Sequence, residues 1–224
     1  MHRADKSQPI EITVKVMKEL QDAGKVKYLG LSEISADTLR RACKIVHIDA
    51  VEMEYSPFSL EVEQKGLLDA CRELGVAMIA YSPLGRGFLT GSIKSRTDFE
   101  EGDVRNFLPR FNAENFHKNL ELVHTLKEIA DRKKCTTGQL VLAWLMNSDP
   151  LVFPIPGTTR AKNFDENMGA LKVKLSKEED QNIRKAIGRA EVAGERYPEA
   201  FLDTLFVDTI PLSQYNGPYK SVLG

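Results

Sequence analysis

Short apolar segments alternate with amphipathic segments along most of this 224-residue chain, and this alternation is what most constrains its fold. The apolar segments lie at 25–33, 49–56, 76–84 and 151–157, and they are too short for buried helices. Nearly continuous apolar runs of this length are typical of strands that are buried on both faces. Such strands in alternation with helices predict an α/β fold built on a parallel sheet.

Helix signals fill the intervals between these segments. Pro9 and Gly24 flank the first helical segment, and Ser35 is placed to cap the second. Ser176 and Glu179 have the spacing of a capping box at the start of the last helix. The predicted helices span 9–23, 35–46, 60–74, 114–133, 137–147 and 160–171, with a last helix from 176.

Two stretches of the sequence show no periodic placement of apolar residues. Residues 85–112 are rich in Gly, Arg, Asp and Pro and predict a long loop, and loops of that length are usually functional or mobile. The tail from Tyr197 contains aromatic residues and prolines, and the pattern leaves open whether it packs on the domain. We therefore predict one domain over 1–195 and a C-terminal tail over 196–224.

The arrangement favours a TIM-type (β/α)8 barrel over a doubly wound dinucleotide-binding sheet. No GxGxxG motif follows the first strand, and the glycine spacing in "GRGFLTG" does not fit one. A full barrel has eight strands and about 250 residues. Four strands are clear here and a fifth is predicted to end at His2, so we expect an incomplete barrel from about the end of strand 4 to strand 8.

Composition favours a cytosolic protein that binds neither nucleic acid nor membranes. Lys and Arg number 31 against 32 Asp and Glu, and the longest apolar run is too short to span a bilayer. Cys43, Cys71 and Cys135 are isolated, without a CxxC pair or a neighbouring His at ligand spacing. They predict free thiols in a reducing compartment and no metal site.

Polar and aromatic residues stand where the apolar strands end, and the ends of barrel strands are where active sites lie. These residues are His2, Ser32 and Glu33, Glu52 to Tyr55, Tyr81 and Ser82, and Pro156 and Gly157. The strongest local signal is "VFPIPGTTRAKNFDEN", in which a glycine, two threonines and a helix start with Arg160 and Lys162 follow a strand. It predicts a phosphate site, unless a threonine merely caps the helix and the cations are solvated. Tyr81 is either a stacking surface for a planar ligand or a core residue.

Four motifs in order, "KVKYLGLSE", "VEMEYSPFS", "MIAYSPLGRGFLTG" and "IPGTTRAKNFDEN", together resemble the aldo-keto reductase superfamily. Their closest resemblance is to the branch near pyridoxal reductases and the reductases that are similar to potassium-channel β-subunits. The segment from "MHRADKSQPIEITVKVMKEL" resembles the part of the family that follows the fourth barrel strand. The resemblance implies an NADP(H)-dependent oxidoreductase that reduces small carbonyl substrates by hydride transfer.

The resemblance also implies roles for individual residues. Ser32 and Glu52 would contact the nicotinamide carboxamide, although many relatives have Gln in place of Glu52, and Tyr81 would stack on the ring. The pyrophosphate would lie along Ser82, Leu84, Gly85 and Arg86. The adenosine end would contact Gly157, Thr158, Thr159, Asn163, Glu166 and Asn167. Its 2′-phosphate would bind Arg160 or Lys162.

Only one of the four catalytic residues of the family has a counterpart in this sequence. Its tetrad comprises an Asp, a Tyr that donates the proton, a Lys that lowers the pKa of that Tyr, and a His. His2 matches the His, whereas the other three belong to strands that precede it, so the resemblance predicts an N-terminally truncated chain with little activity alone. The alternatives are a non-catalytic NADP-binding or regulatory protein and, less well supported, a phosphate-binding isomerase or aldolase. Open barrel edges would also favour self-association.

Overall fold

A computed structural model describes residues 1–219 of the chain. The chain divides into two compact units. The first contains residues 1–53, 61–79 and the chain from 203, and the second contains 54–60 and 80–202. The predicted domain boundary near 195 stays a prediction, and residues 220–224 of the predicted tail lie outside the described residues.

The predicted strands form one sheet in the order β1-β2-β3-β4. The strands are Gly30–Ser32 (β1), Ala50–Glu54 (β2), Ala77–Tyr81 (β3) and Val152–Pro154 (β4). β1 and β2 run parallel, with Leu31 opposite Val51. The α/β fold with a parallel sheet is therefore confirmed.

The strand that was predicted to end at His2 is not formed, because residues 1–5, all described, have no strand conformation. The amino group of Met1 instead donates a hydrogen bond to the carbonyl oxygen of Gly30 at 2.7 Å.

Four helices of the first unit follow the predicted pattern, with one break. They are Ile10–Asp22 (α1), Ala36–Cys43 (α2), Glu61–Gln64 (α3) and Leu67–Leu74 (α4). The Ser35 hydroxyl accepts from the backbone N–H of Thr38, as expected of an N-cap. The single helix predicted over 60–74 is wrong, because Gly66 adopts a left-handed φ of +69° and separates α3 from α4.

The described part of the tail from residue 203 packs within the first unit. Val207 forms a parallel bridge with Ile34, and the Thr209 hydroxyl accepts from the backbone N–H of Ile10 at 3.1 Å. Arg41 donates to the carbonyl oxygens of Thr209 and Ile210, each at 2.7 Å. The tail thus closes over the start of α1 and the side of α2.

The helices of the second unit are Ala113–Lys133 (α5), Thr137–Ser148 (α6), Ala161–Gly169 (α7), Lys177–Arg189 (α8) and Glu199–Leu202 (α9). The predicted capping box of Ser176 and Glu179 is present at the start of α8. A second capping box, of Thr136 and Gln139, starts α6. Trp144 is fully buried on α6, where its ring lies 5.8 Å from that of Tyr55.

The long segment 85–112 is ordered as short turns around aromatic rings. It contains 3-10 helices at Phe88–Thr90, Arg96–Asp98, Val104–Phe107 and Pro109–Phe111. Phenylalanine rings of this segment and its neighbours form a cluster, mostly in edge-to-face contact with centroids 4.9 to 6.0 Å apart, namely those of Phe58, Phe88, Phe99, Phe111 and Phe116. Burial of this cluster offsets the entropy that is lost when a segment without periodic structure is ordered.

No helix within residues 1–219 is long and apolar enough to cross a membrane.

The ion pair of Glu11 and Arg41 gives a test of how the first unit is held together. Two hydrogen bonds of 2.8 and 2.9 Å join the side chains, which are each 16% exposed, and the bond from Arg41 lowers the pKa of Glu11. Because the pKa is lowered, the pair stabilises the fold above the ordinary carboxyl pKa and loses this effect as the pH falls. We expect Glu11→Gln to reduce the unfolding free energy by about 1–2 kcal/mol at pH 7.

Urea unfolding of both proteins across the acid range measures this effect, and the difference between them should shrink with falling pH. Asp22→Asn is the matched control, since Asp22 pairs with Lys18 in the same helix but is 61% exposed. That substitution should cost less than about 0.5 kcal/mol. Equal losses for the two variants, or a difference that does not depend on pH, would contradict the assignment.

Candidate functional site

The first unit brings together three of the predicted site residues. A cavity of about 330 Å³ is lined by Met1, His2, Gly30, Leu31, Ser32, Ala50, Glu52 and Ile79. The Ser32 hydroxyl is nearly buried and donates to the carbonyl oxygen of Glu52 at 3.0 Å. The side chains of His2 and Glu52 are exposed. The structure therefore brings His2, Ser32 and Glu52 to one cavity, and their role as site residues stays a prediction.

Strand alternation explains why Glu52 faces this cavity. Val51 and Met53 on either side of it are fully buried, so the side chain between them points to the opposite face of the sheet. Directly after β1, Glu33 takes a left-handed φ of +50° and its backbone N–H also donates to the carbonyl oxygen of Glu52. The turn after β1 is thus fixed against β2 at the level of Ser32 and Glu52.

In the second unit, β3 ends at Tyr81 and leads into a tight turn. Tyr81 is half-buried, and Ser82 takes a left-handed φ of +48°. The backbone N–H of Gly85 donates to the carbonyl oxygen of Ser82 at 2.9 Å. A Cβ on Gly85 would lie 2.9 Å from the Phe58 ring, so this turn needs a glycine both for space and for its φ of +54°. Leu84 is half-buried in the same turn.

Arg86 is held from two sides by residues that the sequence reasoning did not identify. Its guanidinium lies 5.2 Å from the centroid of the Tyr197 ring. Its carbonyl oxygen accepts a hydrogen bond of 2.9 Å from Arg105, which is itself paired with Asp103. A cation stacked on an aromatic face and fixed at its backbone is restrained before any ligand binds.

The predicted phosphate segment lies beyond β4. The backbone N–H of Ile155 donates to the carbonyl oxygen of Ala80, which places the end of β4 beside the end of β3. The residues that follow are exposed, namely Gly157, Thr158, Thr159, Arg160, Lys162 and Asn163. Glu166 and Asn167 are half-buried further along α7. The predicted site residues of this segment are therefore on one short turn and one helix.

The alternative in which a threonine caps α7 is wrong. The N-cap position is occupied by Arg160, and no side chain caps the helix. The Thr158 hydroxyl instead accepts from the backbone N–H of Arg160 at 3.1 Å, before the helix begins. The first backbone N–H groups of α7 are left without a side-chain cap.

A buried carboxylate that the sequence analysis placed at the end of a strand, without giving it a role, lies at the end of β2. Glu54 is 3% exposed, and its Oε1 accepts a hydrogen bond of 3.1 Å from the Ser59 hydroxyl. Guanidinium nitrogens of Arg110 and Arg196 lie 3.9 and 3.6 Å from the two carboxylate oxygens. The only sequence signal was a charged residue in an apolar strand, two positions after Glu52, because its cationic partners are remote along the chain.

The pKa of Glu54 is set by opposing effects. Burial raises it, while the positive charges of Arg196, Arg86 and Arg110 and the hydrogen bond from Ser59 lower it. A carboxylate in this setting costs desolvation energy and is retained only because cations surround it. Together these groups make an ionic cluster under the 85–112 segment.

Within residues 1–219 no group of His, Cys, Asp and Glu side chains is placed to hold a metal ion. Cys43, Cys71 and Cys135 are free thiols. Burial raises the pKa of Cys43 and Cys135. A raised thiol pKa disfavours the reactive thiolate form of these two cysteines.

Comparison with known proteins identifies the family. The model of the aldo/keto reductase family matches residues 1–187. The chain belongs to the aldo/keto reductase family. This confirms the predicted superfamily, whereas the predicted branch within it stays a prediction.

Two curated relatives are similar over 95% of this chain. Aldo-keto reductase yakc of Schizosaccharomyces pombe, whose name specifies NADP(+), is 50% identical over 214 residues. An aldo-keto reductase of Strobilurus tenacellus is 47% identical over 215 residues. The chain spans 63% of the length of each of these relatives.

Solved structures agree on the fold. A glycerol dehydrogenase from Gluconobacter oxydans has a TM-score of 0.78 at 21% identity, over 87% of this chain and 59% of that one. A thermostable aldo-keto reductase in complex with the inhibitor epalrestat has a TM-score of 0.65 at 28% identity, over 83% of this chain and 58% of that one. The family and these neighbours assign the four-stranded parallel sheet to a (β/α)8 barrel.

Substitution of Glu54 tests whether the ionic cluster stabilises the second unit. We expect Glu54→Gln to reduce the unfolding free energy by about 3–5 kcal/mol, because it leaves Arg110 and Arg196 buried without their counter-charge. Glu52→Gln is the matched control, since it makes the same change on the same strand at an exposed side chain. It should change stability by no more than about 0.5 kcal/mol. Denaturant unfolding of the two variants that gives equal values would show that the cluster is not stabilising.

Proposed function

We propose that this chain binds NADP(H) and provides the cofactor side of an oxidoreductase that reduces aldehydes or ketones to alcohols. The observation that carries the proposal is the turn and helix start after β4, where Arg160 and Lys162 are exposed beside uncapped N–H groups of α7. Helix starts attract anions, and added cations strengthen this preference. The 50% identical relative from Schizosaccharomyces pombe, named for NADP(+), supports the same cofactor.

The geometry of this segment fits a phosphate group. A Cβ on Gly157 would meet no atom within 4 Å, so the turn before α7 borders open space. Arg160 and Lys162 differ by two positions across the helix start and are both exposed, so their cationic groups are free to reach a ligand in that space. A 2′-phosphate on the adenosine ribose is the group that distinguishes NADP from NAD.

The remaining site residues divide between the other parts of the cofactor and the carbonyl. In this proposal Ser82, Leu84, Gly85 and Arg86 border the pyrophosphate, and Thr158, Thr159, Asn163, Glu166 and Asn167 border the adenosine. Ser32 and Glu52 orient the carboxamide, and the Tyr81 ring stacks on the nicotinamide. His2 hydrogen-bonds the substrate carbonyl. The bound nicotinamide supplies the hydride.

Glu52 alters one of these contacts relative to a glutamine. A carboxylate accepts from the carboxamide NH₂ but cannot donate to its oxygen. The single O–H of Ser32 is donated to the carbonyl oxygen of Glu52, so Ser32 would give up that bond in order to donate to the carboxamide oxygen. Glu52 is exposed and Ser32 is nearly buried, and the two are already joined through the bond from the Ser32 hydroxyl to the Glu52 carbonyl oxygen.

A second candidate is a protein that binds NADP(H) without turnover. One observation favours it: in the described part of the chain, the residues that line the His2 cavity include no tyrosine or lysine. Reduction of a carbonyl needs a proton donor as well as a hydride, and a tyrosine beside a lysine fills that role in the resemblance described above. Oxidation of NADPH with an aromatic aldehyde would exclude this candidate. Binding without oxidation fits both candidates, since the resemblance predicts little activity for the chain alone.

We also propose a cytosolic location and self-association through exposed apolar residues. Phe153 and Ile155 at and after β4 are 50% and 47% exposed, and Phe164 and Met168 on α7 are 57% and 47% exposed. Exposed apolar side chains close together favour association with another surface. Sedimentation velocity that gives a single monomer boundary at all concentrations would exclude self-association.

Cofactor titration tests the proposed function. We expect the chain to bind NADPH at least about tenfold more tightly than NADH, a difference of about 1.4 kcal/mol. The double substitution Arg160→Ala with Lys162→Ala should remove that preference and leave NADH binding unchanged, because only NADPH carries the 2′-phosphate. Lys172→Ala is the control, since it removes a lysine beyond the end of α7. A protein that binds neither cofactor, or a double variant that keeps the preference, would contradict the proposal.

A further inference from the structure

The side chain of Gln139 joins the first turn of α6 to the last turns of α7. Its Oε1 accepts from the backbone N–H of Thr136 at 3.1 Å, and its Nε2 donates to the carbonyl oxygen of Glu166 at 3.0 Å. The amide therefore uses an acceptor at one end and a donor at the other, and the two contacts together fix which end is which. A single side chain completes the capping box of α6 and also holds the backbone of α7.

Gly169 is shaped to this contact. A Cβ at this position would lie 2.3 Å from Gln139 Nε2, so a side chain there requires the amide at the end of Gln139 to move. Gly169 has a φ of −59° and a ψ of −23°, which any residue adopts in a helix, so the close approach of the amide explains the glycine better than backbone strain does. Gln139 and Gly169 thus form a matched pair.

Gly138, which directly precedes Gln139, lies close to two of the predicted cofactor segments at the first turn of α6. A Cβ on Gly138 would lie 3.7 Å from Glu166 Oε1 and 3.8 Å from Leu84 Cδ2. Leu84 belongs to the turn after β3, and Glu166 belongs to α7. The start of α6 is therefore the surface on which both segments rest.

α7 has few other anchors within its described residues. None of its nine residues is buried, and no side chain caps its start. A helix that buries little apolar surface depends on specific hydrogen bonds for its orientation. The bond from Gln139 to the Glu166 carbonyl oxygen is such a hydrogen bond, and the proposed function places Glu166 at the adenosine.

We infer that Gln139 is a positioning residue for the adenosine end of the cofactor, which it aligns through Glu166 and α7 without contacting the ligand. The inference rests on the proposed function. It predicts that loss of the amide donor weakens contacts at the adenosine end and leaves those at the nicotinamide end unchanged.

Two substitutions at the same capping box separate positioning from stability. Gln139→Glu keeps an acceptor for the Thr136 N–H, because Glu serves equally well at this position of a capping box, but it cannot donate to the Glu166 carbonyl oxygen. Thr136→Val removes the reciprocal cap and lowers stability, yet it keeps the bond from Gln139 to Glu166. Gly169→Ala is a second route to the same defect, because its Cβ displaces the amide.

Isothermal titration with two cofactor fragments gives the readout. 2′,5′-ADP carries the adenosine end, and reduced nicotinamide mononucleotide carries the other end. We expect Gln139→Glu and Gly169→Ala to weaken 2′,5′-ADP binding about tenfold and to leave binding of the mononucleotide unchanged, while Thr136→Val changes neither affinity.

Wild-type affinity of Gln139→Glu for both fragments would overturn the inference alone, as would an equal loss for both. A wild-type chain that binds neither fragment would overturn the proposed function and this inference with it. Unfolding curves of all three variants show whether each is folded at the titration temperature.

Discussion

The buried carboxylate of Glu54 is a point to which remote parts of the second unit are tied. Its pKa is raised by burial, so the chain must place cations near it or lose the charged form. Arg110 comes from the 3-10 turn Pro109–Phe111 and Arg196 comes from the segment after α8, and both reach Glu54 at the end of β2. Three remote stretches of sequence are therefore tied to one point of the sheet.

Hydrogen bonds of Asn119 connect the two segments that carry Arg110 and Arg196. The Asn119 side chain is buried and donates to the carbonyl oxygens of Arg110 and Ala193, and it accepts from the backbone N–H of Ala193. Gly194 then passes so close that a Cβ would lie 2.7 Å from the Pro109 carbonyl oxygen. The segment that delivers Arg196 and Tyr197 is thereby fixed, and Tyr197 in turn supports Arg86.

This arrangement is consistent with a rigid scaffold that presents ligand contacts on loops. The turn after β3 and the turn before α7 supply most of the proposed cofactor contacts. The first of these turns packs against the phenylalanine cluster, and α7, which follows the second, is bonded to the start of α6. Preorganised contacts cost less entropy when a ligand binds. The exposed cations Arg160 and Lys162 are not preorganised in this way, and their freedom lets them reach a charged ligand.

Sequence patterns predicted the elements whose cause is local. The strands followed from apolar runs, and the caps at Ser35 and Ser176 followed from side chains that bond to their own helix start. The break at Gly66 was missed, because a glycine within a helical pattern does not by itself reveal a left-handed φ.

The candidate site was predicted only where the end of a strand marks it. Ser32 and Tyr81 are the last residues of β1 and β3, as predicted, whereas Glu52 lies in the middle of β2 and Gly157 lies beyond the end of β4. Glu54, Arg105 and Gln139 could not be found in the same way, since each acts through a partner that is distant along the chain and is recognised only from contacts in space.

The most direct measurement of the central claim, that the turn after β3 and the segment 157–167 together bind NADP(H), is backbone amide hydrogen exchange of the chain with and without saturating NADPH. The account predicts slower exchange at 82–87 and at 157–167, with no change along α8. Protection confined to other elements, or no protection at either segment, would contradict it.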